Sequence, residues 1–125
     1  MDETTAKGKA YGITELEYHV EARRTCALEA IHAADAAACH ERDVKVLEAG
    51  VMAAVANEQE GGKPRYSNAE KRTAEVERRL SVDSKHSEMR AVAQKCALDA
   101  RVLVVDAQYH ADCIAAGIAL LNAAK

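Results

Sequence analysis

The sequence predicts an all-α protein, built as a long antiparallel helical hairpin. Alanine accounts for 27 of the 125 residues and is combined mainly with Leu, Glu, Lys and Arg, the residue types with strong helix propensity. The single proline, Pro64, leaves a long stretch free of helix breakers on either side. Apolar residues recur three or four positions apart in both stretches, which is the period of an amphipathic helix.

The boundaries follow from capping and turn signals. Residues 1–12 contain two glycines and few large hydrophobic residues, and they predict a flexible leader. A single helical-hairpin domain is expected over residues 13–125, and its first helix is expected to start at a capping box formed by Thr14 and Glu17. The turn is expected at residues 58–66, where Gly61, Gly62 and Pro64 cluster.

The second half of the hairpin contains one possible break. Ser67 and Glu70 form a second capping box, which predicts a helix start near Ser67. Polar residues at 81–84 favour a kink or a new helix start, with Asp83 or Ser84 as the cap. A three-helix description is therefore the alternative to two continuous helices.

Apolar stripes predict which helix faces meet. In the first helix the stripe is predicted at Ile13, Leu16, Val20, Ala27, Ile31, Ala34, Ala38, Val44, Leu47, Val51 and Val55. In the last helix it is predicted at Met89, Ala93, Cys96, Ala100, Leu103, Ala107, His110, Ile114, Gly117 and Leu121. Further apolar residues lie outside this seam, at Val102, Val104, Val105 and Ile118. Two helices cannot cover them, so we expect a helical-bundle homo-oligomer, most simply a dimer with four helices.

Charge and cysteine content exclude several classes of protein. The 17 basic and 20 acidic residues are interspersed and give a net charge of −3, which makes nucleic acid a less favoured partner. No apolar stretch is long enough for a membrane span and no apolar signal segment is present, so we expect a cytoplasmic protein. The four cysteines are too widely spaced for a zinc motif, and buried free thiols are the simplest interpretation. No cofactor is predicted.

Folding the chain back at residue 63 or 64 places Tyr18 and His19 beside Tyr109 and His110. Flat rings that stack on a base, together with nearby cations that hold phosphate, suit a nucleotide-like anion. The alternative is that the same rings close the end of an alanine-rich core with their polar tips in water. The candidate ligand-binding residues are Tyr18, His19, Arg23, Arg24, Arg101, Tyr109 and His110.

The turn offers a second candidate site. Basic side chains gather there beside the predicted N-terminus of the second helix, which attracts anions. The alternative is an ordinary solvated loop. The candidate anion-binding residues at this tip are Lys63, Arg65, Tyr66 and Arg72.

Two further motifs bear on metal binding and catalysis. Glu29 and His32 have the Glu-x-x-His spacing of di-iron carboxylate bundles, and Asp99 falls nearby in an antiparallel hairpin. Only a symmetric dimer would duplicate this motif, so a metal-binding bundle is a remote alternative and no metal site is predicted. His110 and Cys113 lie one turn apart, but a helix interior offers no oxyanion hole. The sequence therefore predicts a protein that is not an enzyme.

The segment from Gly61 to Arg72, GGKPRYSNAEKR, is followed by Glu75, Glu77, Arg78, Leu80 and Asp83. In this order of long helix, glycine turn and charged helix start, the chain resembles small helical proteins of tailed bacteriophages. The resemblance implies action inside the cytoplasm of an infected bacterium. It also implies a function in binding and carries over no catalytic residue.

Together these observations favour a noncatalytic phage-type binding protein. Such a protein is expected to inhibit host defence, either by sequestering a nucleotide-like anion or by blocking a host protein. The alternative is a structural or accessory coiled coil in phage recombination or replication.

Overall fold

The chain folds into three α-helices and a short β-hairpin. A computed structural model describes the backbone of residues 3–124 and the side chains of residues 12–124. Helix α1 spans Glu3–Asn57, α2 spans Ala69–Ser81 and α3 spans Ser84–Ala123. Strands β1 (Gln59–Glu60) and β2 (Lys63–Pro64) separate α1 from α2. The all-α prediction is confirmed, and the three-helix alternative describes the second half of the chain.

The first helix starts earlier than the sequence predicts. Its backbone is helical from Glu3, so residues 3–12 belong to α1 and Thr14 lies inside the helix rather than capping it. Alanine and lysine in this segment favour helix, and each interior glycine costs only about 1 kcal/mol. Residues 1 and 2 of the predicted leader lie outside the described part of the chain.

The predicted turn is a β-hairpin with a two-residue loop. Glu60 pairs with Lys63 and Gln59 with Pro64, leaving Gly61 and Gly62 as the loop. Their φ angles of 60° and 79° are the left-handed values that a type I′ turn requires at both positions, and that glycine adopts without steric cost. The glycine pair therefore determines where the chain reverses.

Local side-chain chemistry defines the two later helix starts. Asn68, rather than Ser67, is the N-cap of α2, because its backbone is extended and its Oδ1 accepts a 2.8 Å hydrogen bond from the Lys71 amide. The predicted break at residues 81–84 is confirmed. Asp83 caps α3, accepting the His86 amide at 3.2 Å through Oδ1.

The fold divides into two compact units. The terminal unit comprises Met1–Ala34 and Leu98–Lys125, and the central unit comprises Asp35–Ala97. In the terminal unit α1 and α3 are antiparallel: a Cβ built on Gly12 meets Leu121 at 3.7 Å, and one built on Gly117 meets Leu16. In the central unit Val44 and Val55 are buried, and His86 Nε2 lies 3.0 Å from Glu48 Oε1 across α1 and α3.

The two predicted apolar stripes differ in outcome. All ten predicted α3 positions are half-buried, which confirms that stripe. In α1 the prediction is correct for Leu16 and from Val44 to Val55, whereas the other predicted positions are exposed: Ile13, Val20, Ala27, Ile31, Ala34 and Ala38. The further α1 positions of the terminal unit that are buried or half-buried are Gly12, His19, Ala22, Cys26, Ala30 and Ala33. Small residues face α3 because they allow the two helices to approach closely.

Candidate functional site

Four aromatic rings form a cluster between α1 and α3 in the terminal unit, as the sequence predicts. His19 Nδ1 and His110 Nδ1 are 2.9 Å apart, and the centroids of these two rings are 5.1 Å apart. The Tyr18 ring meets the His110 ring edge-on at 6.0 Å, and the Tyr109 ring meets the His19 ring edge-on at 6.2 Å. We call Tyr18, His19, Tyr109 and His110 the ring cluster. Each tyrosine thus contacts the histidine of the other helix.

The two histidines of the ring cluster constrain each other chemically. A hydrogen bond between two Nδ1 atoms requires one of them to donate and the other to accept. Both histidine side chains are half-buried, whereas Tyr18 and Tyr109 are 63% and 60% exposed. The cluster therefore holds a fixed imidazole pair flanked by two aromatic surfaces that solvent can reach.

Tyr109 is also linked to Cys113, one turn further along α3. A side-chain hydrogen bond with Cys113 is the main cause that raises the pKa of Tyr109, so its hydroxyl stays protonated at neutral pH. His110 Nδ1 is paired with His19 on the other helix. Among residues 12–124 no hydrogen bond joins His110 to Cys113, so the geometry gives no support to an activated thiol.

The predicted arginines are not brought to the rings. Among the described side chains, no hydrogen bond or cation–π contact links Arg23, Arg24 or Arg101 to the ring cluster. Arg23 lies at the edge of an alanine-lined groove, and Arg101 lines a separate groove with Val102 and Val105. All three side chains are exposed. The paired rings of the predicted site are thus assembled, whereas its positive charge is not.

One of the three predicted cations at the tip, Arg65, is paired with a carboxylate of the same chain. Arg65 Nη1 donates to Glu58 Oε1 at 2.6 Å, and its guanidinium lies over the Tyr66 ring at 5.4 Å. Arg72 Nη1 lies 3.4 Å from the Tyr66 carbonyl, whereas Lys63 is exposed on β2. Because Arg65 already has a carboxylate partner, the geometry favours a solvated, internally paired loop over an anion site.

The sequence does not predict the carboxylate network that begins at Glu58, the partner of Arg65. Glu58 Oε2 accepts from Arg79 Nη2, and Arg79 Nε donates to Glu75 at 2.9 Å. Hydrogen bonds from Arg79 and then Arg65 hold the pKa of Glu58 below its usual value. Glu58 lies just after α1 and Arg79 lies in α2, so their pairing depends on how the β-hairpin redirects the chain. The Glu75–Arg79 spacing is the only part of this network that is visible as a helical pattern.

The sequence also gave no reason to single out His86. It is buried in the central unit, where Glu48 and His86 line an open cavity of about 650 Å³ together with Ser87 and Arg90. Glu29, His32 and Asp99, by contrast, are all exposed. Among the described side chains, no three His, Cys, Asp or Glu residues converge as metal ligands.

Comparison with known proteins finds no matching family model, no matching curated protein and no matching solved structure. Within residues 3–124, none of the helices combines the length and the apolar character needed to cross a membrane.

Proposed function

We propose that this chain is a noncatalytic helical binding protein whose ring cluster takes a planar, anionic, nucleotide-like ligand. The observation that carries the proposal is the fixed His19–His110 pair between two solvent-accessible tyrosine rings. Stacking of a base on an aromatic side chain contributes about 1–3 kcal/mol and tolerates any base, because every base has a π-face. Two such rings at one end of an antiparallel helix pair offer a base two stacking surfaces.

The anionic part of the ligand needs a positive partner. Arg23 lies four residues after His19 on α1, which places it on the same helix face. Its side chain is long and exposed, so it is able to reach a phosphate held over the rings.

The biological setting is proposed from the resemblance to small helical phage proteins. A phage protein that binds a nucleotide-like anion without hydrolysing it lowers the free concentration of that anion in the infected cell. If the anion is a host defence signal, such binding inhibits the defence.

The test is a ligand titration with purified protein. Calorimetry against ADP-ribose, a cyclic dinucleotide and ATP is expected to show binding of at least one of them. Tyr18→Ala and Tyr109→Ala are each expected to weaken that binding by roughly 10- to 100-fold, the range that loss of one stacking surface gives. Tyr66→Ala is the matched control, because Tyr66 lies in the central unit.

The outcomes are separable. No heat from any of the three nucleotides would reject the ligand class. An equal loss of affinity in Tyr66→Ala would move the site to the tip. Unchanged affinity in both ring-cluster variants would show that Tyr18 and Tyr109 do not bind the ligand. Their rings would then only close the end of an alanine-rich core.

A second candidate function is an accessory coiled coil in phage recombination or replication. The observation that favours it is the large apolar surface in the terminal unit, where Ile31, Val104 and Val105 are all more than half exposed. This reading predicts a stable protein complex and no nucleotide binding. Co-purification of a phage or host protein, together with flat nucleotide titrations, would favour it.

A further inference from the structure

The terminal unit carries an apolar groove between its two helices. The groove has a volume of about 470 Å³. We call it the alanine groove, and its main apolar residues are Ala27, Ile31 and Ala34 from α1 with Ala100, Val104 and Ala107 from α3. Its polar lining residues are Arg23 and Gln108, and no carboxylate lines it. A charged or strongly polar occupant therefore finds few partners there.

The chain exposes more surface than a folded monomer of its mass. Its accessible surface is 9110 Å². Monomeric proteins of 13.5 kDa expose about 6500 Å² by the usual scaling of surface with mass. The difference is on the order of 2600 Å², whereas obligate homodimers bury roughly 2000 Å² or more in total, about 1000 Å² per partner. The excess is thus large enough to supply a stable interface.

Most of the unburied apolar side chains belong to the terminal unit. Among residues with described side chains, 12 of the 16 exposed large hydrophobic residues lie there, and Ala30 is the one buried hydrophobic residue. Ile31 and Val104, on opposite sides of the alanine groove, are 57% and 59% exposed. Two helices packed through alanine leave this surface without an internal partner.

We propose that the alanine groove seats the same groove of a second copy of this chain. The groove contains both parts of a self-complementary contact, because Ile31 and Val104 project while Ala27, Ala34 and Ala107 leave room. A two-fold axis then sets the projecting residues of one copy over the alanines of the other, as an isologous interface requires. The product is a four-helix arrangement of terminal units.

A competing face on α3 is less suitable. Leu98, Val102 and Val105 line a smaller groove of about 350 Å³, which Arg101 and Asp106 also line. This groove is formed by a single helix and contains two charged side chains. The alanine groove is larger and drawn from both helices, so its closure buries more apolar area and desolvates one charged side chain, Arg23, rather than two.

Two neighbouring valines provide a matched test. Val104 belongs to the alanine groove and Val105 to the competing face, and their exposed fractions are 59% and 66%. In sedimentation velocity the wild-type chain is expected to run as a dimer of twice 13.5 kDa. Val104→Glu is expected to raise the dimer dissociation constant roughly 100-fold or more, because the charged carboxylate loses its hydration in a mainly apolar contact. Val105→Glu is expected to stay dimeric.

Circular dichroism of both variants checks that the helices are retained, and Ile31→Glu repeats the test from α1. A melting temperature that rises with protein concentration in wild type and Val105→Glu, but not in Val104→Glu, would support the interface. A monomeric wild type would overturn the proposal and leave the groove for a different protein. Dissociation by Val105→Glu but not by Val104→Glu would overturn it in favour of the competing face.

Discussion

Replacing Gly117 by alanine tests the contact that sets the register of the terminal unit. A Cβ at Gly117 would lie 2.7 Å from Leu16 Cδ2 and 3.2 Å from Leu16 Cγ, which is closer than real side chains pack. At Gly50 a Cβ would meet nothing within 4 Å. The same substitution therefore adds one methyl group to a crowded helix contact in one variant and to open solvent in the other.

The sign of each stability change follows from comparing helix propensity with overpacking. In a helix interior alanine is favoured over glycine by about 0.8–1.0 kcal/mol, so Gly50→Ala is expected to stabilise the protein by about 1 kcal/mol. Overpacking a close contact typically costs about 1–3 kcal/mol. Gly117→Ala is therefore expected to lie between neutral and about 2 kcal/mol destabilising. The two variants should differ by about 1–3 kcal/mol.

Urea denaturation followed by circular dichroism at one fixed protein concentration measures these differences. Leu16→Ala removes the atoms that obstruct the new methyl group, so Gly117→Ala in that background should recover the full gain of about 1 kcal/mol. If Gly117→Ala stabilises the parent protein as much as Gly50→Ala does, the Leu16–Gly117 contact is wrong. The ring cluster, which lies between the same two helices, would then lose its structural basis.

Three further predictions concern the central unit. Val55 is 1% exposed, and Val55→Ala should lower the free energy of unfolding by about 2–3 kcal/mol, because two methyl groups are lost and a cavity remains. Val46 is 72% exposed, and Val46→Ala should change it by less than about 0.5 kcal/mol. Urea titrations measure both values. Asp83→Ala should cost about 1 kcal/mol by removing the α3 cap, and Asp83→Asn should restore most of it. Glu75 has a pKa lowered to about 2, chiefly by hydrogen bonds from Arg78, so the stabilisation it provides is complete above an unfolded pKa of about 4.3 and is lost as pH falls towards 2. Thermal melts between pH 5 and pH 2 should therefore show a shallower loss of stability in Glu75→Gln, and an unchanged slope would contradict the assignment.

The sequence predicts the local features of this fold well. Gly61, Gly62 and Pro64 locate the chain reversal, and Asp83 locates the restart of helix, because each acts through its own backbone or its nearest neighbours. The spacing of apolar residues in α3 predicts its inner face because that helix has one continuous stripe. None of these inferences requires knowledge of a distant residue.

The inner face of α1 is not predictable in the same way. An alanine-rich helix carries two stripes at helical spacing, one through Ala22 and Ala30 and another through Val20 and Ile31. Hydrophobicity favours the second stripe, whereas the structure buries the first. Which stripe is buried depends on how closely α3 approaches α1, and the spacing of apolar residues along one helix does not contain that distance.

The candidate site is also only partly predictable from the sequence. Tyr18 and Tyr109 come together because the fold-back point alone sets their separation to within a turn of helix. The arginines near them do not converge, since a long flexible side chain takes its direction from local contacts. Glu58 and Arg79 pair across the β-hairpin, and the direction in which α2 leaves that hairpin is a property of the folded chain.

The order of residues on α1 has an energetic consequence for self-association. Burying an isoleucine rather than an alanine removes three more carbons from water, a gain of about 2.4 kcal/mol at 0.8 kcal/mol per methylene. In the terminal unit the chain buries Ala30 and leaves Ile31 exposed, so it does not obtain this gain from its own α3. Exchanging the two residues would not recover this gain, because isoleucine in the close α1–α3 contact would overpack it, typically at a cost of about 1–3 kcal/mol. Ile31 adds burial energy only where a second surface covers it, and the proposed dimer would supply that surface through the alanine groove that Ile31 lines with Val104.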